Sequence, residues 1–273
     1  MHADLDSFYR GSGDLTGQLD LAFQEALANR YRGAEADCLF SHTLNLADGR
    51  SLQGATDLRG TEAAHLGDCD ITGQRVLEFG GGSGWLTQYM ASRAGELVTL
   101  DIPVGREELS APLAAISNPH GLDGLRDIQE RIRRGWWFVK DRAGHPGKMV
   151  YCDLHNPPSD LGRFEVSVLP STLLQVPMPF LVVQAAARVT ERCIVITEPV
   201  VATLSQDGNG LGPAALFAPN IGTGQPNHWW QHSAAALARM LMVAGFGDLS
   251  LSVSVAEHSA MPLLTVSGRR PSD

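Results

Sequence analysis

The stretch VLEFGGGSGWL at residues 76–86 sets Gly80, Gly82 and Gly84 two apart, behind an acid, Glu78. Glycine has the most backbone freedom to lose on ordering. A cluster of it marks a sharp bend or a close approach to the backbone. Two further acids end apolar runs. Asp101 closes LVTLDI, seventeen residues past Gly84, and Asp153 sits in YCDLHN. A carboxylate there can accept hydrogen bonds at both oxygens. Histidine supplies proton-transfer chemistry, since its ordinary pKa lies near neutrality. His228 and His232 flank Trp229-Trp230 in a late segment, and His42 stands in FSHTLNL. These three are the candidate general bases. No metal site is expected.

The elements that must position these residues show in the hydrophobic pattern. QRVLEFG, LVTLDI, KMVYCDL, RFEVSVLP and RCIVITEPV are short apolar runs. WLTQYMASRAG (closed by Gly95), REELSAPLAAI, LDGLRDIQERIRRGWW and MPFLVVQAAARVT fall between them with helical character. Short buried strands alternating with helices predict a doubly wound, Rossmann-like α/β fold with seven strands. The helix SAAALARMLMVAGF precedes LSLSVSVAEH and LLTVSGRR, which read as an antiparallel hairpin at the C-terminal edge of the sheet. Residues 1–70 read as an N-terminal extension ahead of the main domain, 71–273. In it, Leu15, Leu19, Phe23 and Leu27 make one helical face, and a hairpin turns at Asp48-Gly49. Residues 201–231, rich in glycine and proline, read as a lid or substrate loop.

The bulk numbers bound the partners. The chain has 273 residues, 44% hydrophobic and 19% charged, which suits a globular domain rather than a disordered one. Net charge is −9, from 21 basic and 30 acidic residues, which disfavours a whole-surface nucleic-acid binder. One local exception is 126–142, with six basic and three acidic residues around Trp136 and Trp137. It reads as an amphipathic helix whose aromatics cap a pocket or contact a second subunit, in a homodimer. Cys38, Cys69, Cys152 and Cys193 lie far apart and read as reduced, buried thiols. With no secretory signal and no membrane-length apolar run, the expected location is cytoplasmic.

The glycine spacing discriminates among ligands. A dinucleotide site shows GxGxxG, but here Trp85 follows Gly84. A P-loop needs a lysine, and none occurs between Arg75 and Lys140. GxGxG behind Glu78 resembles the first motif of the class I S-adenosylmethionine-dependent methyltransferases. The resemblance implies S-adenosyl-L-methionine as cofactor. It implies that Asp101 binds the ribose hydroxyls and Asp153 the adenine amino group, with Ile102 and Leu154 beside them. Within that class, FSHTLNLADGRSLQG, the glycine motif, FEVSVL and NHWWQHSAAALARMLMVAGF are similar to the tRNA wobble-uridine 5-oxyacetate methyltransferase-like family. The family's tyrosine-histidine segment is absent where Leu173, Leu174 and Gln175 stand, so plain rather than carboxylated cofactor is expected. The expected function is methyl transfer to an oxygen or nitrogen of a small molecule, of the secondary-metabolism kind. A tRNA-modifying enzyme and a non-methylating S-adenosylmethionine-binding protein are the alternatives.

Overall fold

The computed structural model describes residues 15–112, 119–200, 212–218, 228–259 and 261–271. Its centre is a seven-stranded sheet. Five strands are β3 (Arg75–Phe79), β4 (Glu96–Asp101), β5 (Lys148–Tyr151), β6 (Phe164–Pro170) and β7 (Thr190–Pro199). Two more, β10 (Gly247–Val255) and β11 (Pro262–Arg269), form the C-terminal hairpin. The spatial order is β10-β11-β7-β6-β3-β4-β5. Strands β7, β6, β3, β4 and β5 pair in parallel, and β11 runs antiparallel to both of its neighbours. The expected hairpin is therefore present, with β10 outermost and the last strand tucked between it and β7.

Alternate residues of the strands feed two cores, one on each face. Leu77, Phe79, Val98, Leu100 and Ile194 belong to one. Val76, Leu97, Val166, Cys193 and Val195 belong to the other. This double burial is why the strands read as continuous apolar runs. The helices that cover the sheet are α1 (Leu15–Ala28), α2 (Trp85–Ala91), α3 (Pro119–Ala143), α4 (Pro179–Val189) and α5 (Ala234–Val243). Ser233 caps α5, its hydroxyl accepting from the Ala236 amide.

The segment ahead of β3 shares these cores. Leu44, Leu52 and Leu58 pack with Val76 and Met90, and Leu19 joins the opposite layer. The expected hairpin forms between β1 (Leu44–Asn45) and β2 (Ser51–Leu52), with Gly49 left-handed at its turn. Residues 38–43 run between α2 and α3. Leu39 donates to the Arg131 carbonyl, and the Ser41 amide to Ser83 Oγ.

Four expectations need correction. Helix α2 ends at Ala91, so Gly95 is not its cap. A side chain at Gly95 would instead meet the Gly73 carbonyl, across a tight backbone crossing. In REELSAPLAAI the described residues form a 3-10 turn at Glu107–Leu109 rather than an α-helix, and residues 113–118 lie outside the described ones. Trp136 and Trp137 are core residues, 0% and 2% exposed, so neither faces a second subunit. Cys69 and Cys193 are not separate thiols: the turn at Ala64–Leu66 packs on β7 and brings them into a disulfide, while Cys38 and Cys152 are free and buried. Of the expected loop at 201–231, residues 201–211 and 219–227 lie outside the described residues. Its described parts include β8 (Ala215–Phe217), which pairs antiparallel with β9 (Trp230–His232).

Candidate functional site

The chain runs from β3 outward to β4 and β5, then crosses back to β6 on the other side of β3. At such a reversal the connections diverge and leave a crevice at the carboxyl ends of the strands. The glycine turn stands there. Gly80, Gly82 and Gly84 have φ of +81°, +50° and +91°, in the left-handed region that only glycine adopts without strain. Gly84 starts α2 in that conformation. Gly81 is glycine for a different reason: a Cβ there would lie 2.5 Å from Thr99 Cγ2 and 3.0 Å from Trp136 Nε1.

A cavity of about 200 Å³ opens over this turn. Gly80–Ser83 form its floor, with Glu78 beneath and Asp101, Ile102 and Leu154 at one end. His42 and His65 line it from the segment ahead of β3, Trp85 from α2, Arg133 from α3, and Ser171, Thr172 and Gln175 from the turn after β6. Glu78 Oε2 accepts from Thr87 Oγ1 at 2.7 Å and from Thr99 Oγ1 at 2.8 Å, tying α2 and β4 to β3. Burial pushes its carboxyl up to about 7, against the two threonine bonds. Asp101 spends one oxygen on the Ile102 amide at 2.8 Å. Burial raises its pKa, opposed by the positive charge of Arg133 and by the Ile102 amide.

The other expected site residues divide. Asp153 does not line the cavity. Its Oδ1 meets the amide and Nδ1 of His155 at 2.9 and 2.8 Å, whereas the next residue, Leu154, faces the cavity. His42 lines it, 5.2 Å ring to ring from Trp85, with Nδ1 buried and unpartnered among the described residues. Burial, then the neighbouring His65, lowers the His42 pKa to about 4, so it is neutral at physiological pH. His228 and His232 do not line it. His232 is 3% exposed in β9, stacked on Trp230, and burial lowers it to about 4. Their segment still reaches the rim: the Trp229 amide donates to the Leu174 carbonyl, and its Nε1 to the Ser110 carbonyl at 2.7 Å.

Sequence reasoning missed His65, Arg133 and Ser171. His65 Nδ1 sits 2.8 Å from the Thr61 carbonyl, which can only accept, so that nitrogen carries the proton. Ser171 has φ +52°, a left-handed conformation uncommon for serine, held by its amide bond to the Thr197 carbonyl at 2.7 Å. The non-glycine residue in that strained turn is the one signal in LPSTLLQVP that structure reveals and composition hides.

Seven strands in this order, with β11 reversed and a glycine turn at the central crossover, make a Rossmann-like fold that known structures share. The N-terminal domain of EvdMO1 with SAH bound is 19% identical, with 96% of this chain and 100% of that one covered and a TM-score of 0.56. The same domain in the presence of SAH and D-fucose gives 18% identity, 96% and 100% coverage and a TM-score of 0.50. The 1,6-didemethyltoxoflavin-N1-methyltransferase of Burkholderia thailandensis, with 1,6-didemethyltoxoflavin and S-adenosylhomocysteine bound, is 15% identical over 79% of this chain and 78% of its own, at a TM-score of 0.47. At these identities the likeness is one of fold. No protein-family model matches the chain, and no curated protein matches its sequence.

Proposed function

We propose that the chain is a methyltransferase that uses S-adenosyl-L-methionine to methylate an oxygen or nitrogen of a small molecule. The observation that carries this reading is the pairing of the GxGxG turn with Asp101 across one cavity at the sheet's crossover. The residues fit the cofactor on three counts. The backbone of Gly80–Ser83 is bare where a ligand would lie against it. Asp101 has an oxygen with no hydrogen-bond partner among the described residues, suited to a ribose hydroxyl. Ile102 and Leu154 offer apolar walls to a purine. The glycine turn itself carries no lysine or arginine to answer a phosphate, and Arg133 is the one cation among the cavity's described lining residues. Asp153, bonded to His155 and outside the cavity's lining, is given no contact with the cofactor in this reading.

When bound, the cofactor supplies a methyl group already activated by its sulfonium. The chain's own work is to align and desolvate. Glu78 fixes the glycine turn through Thr87 and Thr99. The turn at 171–176 shapes the opposite wall. His42, neutral and with a free ring nitrogen, is assigned as proton acceptor for the incoming nucleophile, because it alone of the three expected histidines lines the cavity. His228 and His232 are assigned to holding the segment that straps the rim through Trp229.

A small acceptor is favoured over tRNA by the net charge of −9 and by the burial of Trp136 and Trp137. Bases stack on exposed rings, and these are not. The test is transfer of labelled methyl from S-adenosylmethionine to a small-molecule fraction and, separately, to bulk tRNA. Label in the small-molecule fraction supports the reading. Label in tRNA alone transfers the chain to the wobble-uridine alternative. No label in either, with the cofactor bound, leaves the non-methylating alternative standing.

A further inference from the structure

A second cavity, of about 570 Å³, lies beyond Arg133. It opens between the turn that follows α1, the middle of α3, and the ends of β4 and β5. Arg30, Arg32, Arg133 and Arg134 line it, with Tyr31 and Tyr151. A single carboxylate, Glu130, shares the wall, and it is bonded to Arg134. Arg30 is answered by Asp141 at 3.6 Å. Arg32 and Arg133 take part in no ion pair within 4.0 Å among the described residues. In a chain of net charge −9, that is a local excess of positive charge.

Arg133 makes the excess informative. The residue is 8% exposed, and its Nη1 is buried without a hydrogen-bond partner among the described residues. A guanidinium carries five N–H donors, and burying them unanswered is strongly unfavourable. Each tyrosine hydroxyl is already engaged in a hydrogen bond. Tyr31 Oη donates to Asp37 at 2.6 Å, and Tyr151 Oη accepts from Trp137 Nε1 at 2.9 Å. They therefore offer ring faces, while the arginines offer the polar contacts. The volume falls within the range of small-ligand sites, about 300–1,000 Å³.

We propose that this second cavity binds a small phosphorylated molecule carrying a flat ring, with Arg133 and Arg32 holding the phosphate. Two arginines without an ion pair among the described residues match a group with more than one negative charge, and the guanidinium fork matches phosphate oxygens in pairs. The site adjoins the cavity over the glycine turn, since Arg133 lines both, but the rest of its lining differs. Ile102 and Leu154, which would flank a purine there, do not line this one. The sequence run 126–142, basic and aromatic, thus gains a use that its buried tryptophans alone did not give it.

Calorimetry with inorganic phosphate and with uridine 5′-monophosphate, each in the presence of saturating S-adenosylhomocysteine, tests this. The nucleotide should bind, more tightly than inorganic phosphate, and less tightly as salt rises. Arg32→Ala and Arg133→Met should each weaken it about tenfold, the loss of one charge-assisted pair. Arg32→Ala should leave the affinity for S-adenosylhomocysteine unchanged, and being exposed it carries the test if Arg133→Met fails to fold. No heat with either probe, binding only when S-adenosylhomocysteine is withheld, or undiminished binding in Arg32→Ala would overturn the proposal. The first would make the cavity a structural void, and the second would make it part of the first site.

Discussion

Glu198 should make this protein lose stability as pH rises through neutrality. The residue lies in β7, 2% exposed, and its Oε1 accepts from the Leu173 amide at 2.8 Å and the Leu174 amide at 3.4 Å. Burial raises its carboxyl from 4.5 to about 8, and the two amide bonds only partly oppose this. Between those values the folded protein holds a proton that the unfolded chain has released. The folded pKa is the higher one, so the stabilisation is complete below 4.5 and is lost as pH climbs to about 8. Buried histidines work in the opposite sense: His42, His145 and His232, lowered from 6.5 to about 4, make stability rise with pH only below 6.5. From pH 6.5 to 8 the carboxyls therefore act without that opposition. At ~1.4 kcal/mol per pH unit, Glu198 accounts for a fall of about 2 kcal/mol there, with Glu78 adding a little up to pH 7. That is a sizeable part of an ordinary domain's stability, about 5–15 kcal/mol. Glu198→Gln keeps an acceptor for the two amides and removes the titration. Urea unfolding at half-unit steps from pH 6.5 to 8 reads the effect. The wild type should weaken across the series, and the variant should be nearly flat. A flat wild type, or an equal fall in the variant, would refute the reasoning.

Other perturbations reach the site directly. Gly81→Ala drives a methyl against Thr99 and Trp136, and should cost about 1–3 kcal/mol by overpacking, read as a lower Tm. An unchanged Tm would show that the turn has room. His42→Gln should lower turnover about 100-fold or more with S-adenosylhomocysteine affinity retained, whereas His232→Gln should leave turnover near normal. The reverse ranking would return the proton acceptor to the strap. Ser233→Ala removes the cap of α5 and the bond to the Ala214 amide, and should destabilise by about 1–2 kcal/mol in thermal unfolding.

Much of the frame was legible because it is local. A strand buried on both faces must be apolar at every step, so β3, β4, β6 and β7 declared themselves. The turn at Gly80–Gly84 declared itself through positive φ, which few other residues tolerate. Asp101 could be placed because it ends a strand that the glycine turn had already put in order. What distance brings together stayed hidden. His65 reaches the cavity only because the turn at Ala64–Leu66 folds back over the sheet. Cys69 and Cys193 meet across 124 residues. Arg133 looked like one basic residue on a helix face, and only the tertiary structure buries it between two cavities. The histidines of 228–232 were expected in the site because they flank tryptophans. Pairing of β8 with β9 turns His232 inward instead, and leaves Trp229 as the residue that reaches the rim.

The most direct test is calorimetric titration of the wild type and Asp101→Ala with S-adenosylhomocysteine. The central claim is that the cavity over the glycine turn holds the nucleoside through Asp101. The wild type should bind one equivalent. The variant, lacking a charged acceptor for the ribose hydroxyls, should bind more weakly by about 2 kcal/mol, roughly 30-fold. No binding by the wild type, or equal affinity in the variant, would contradict the account.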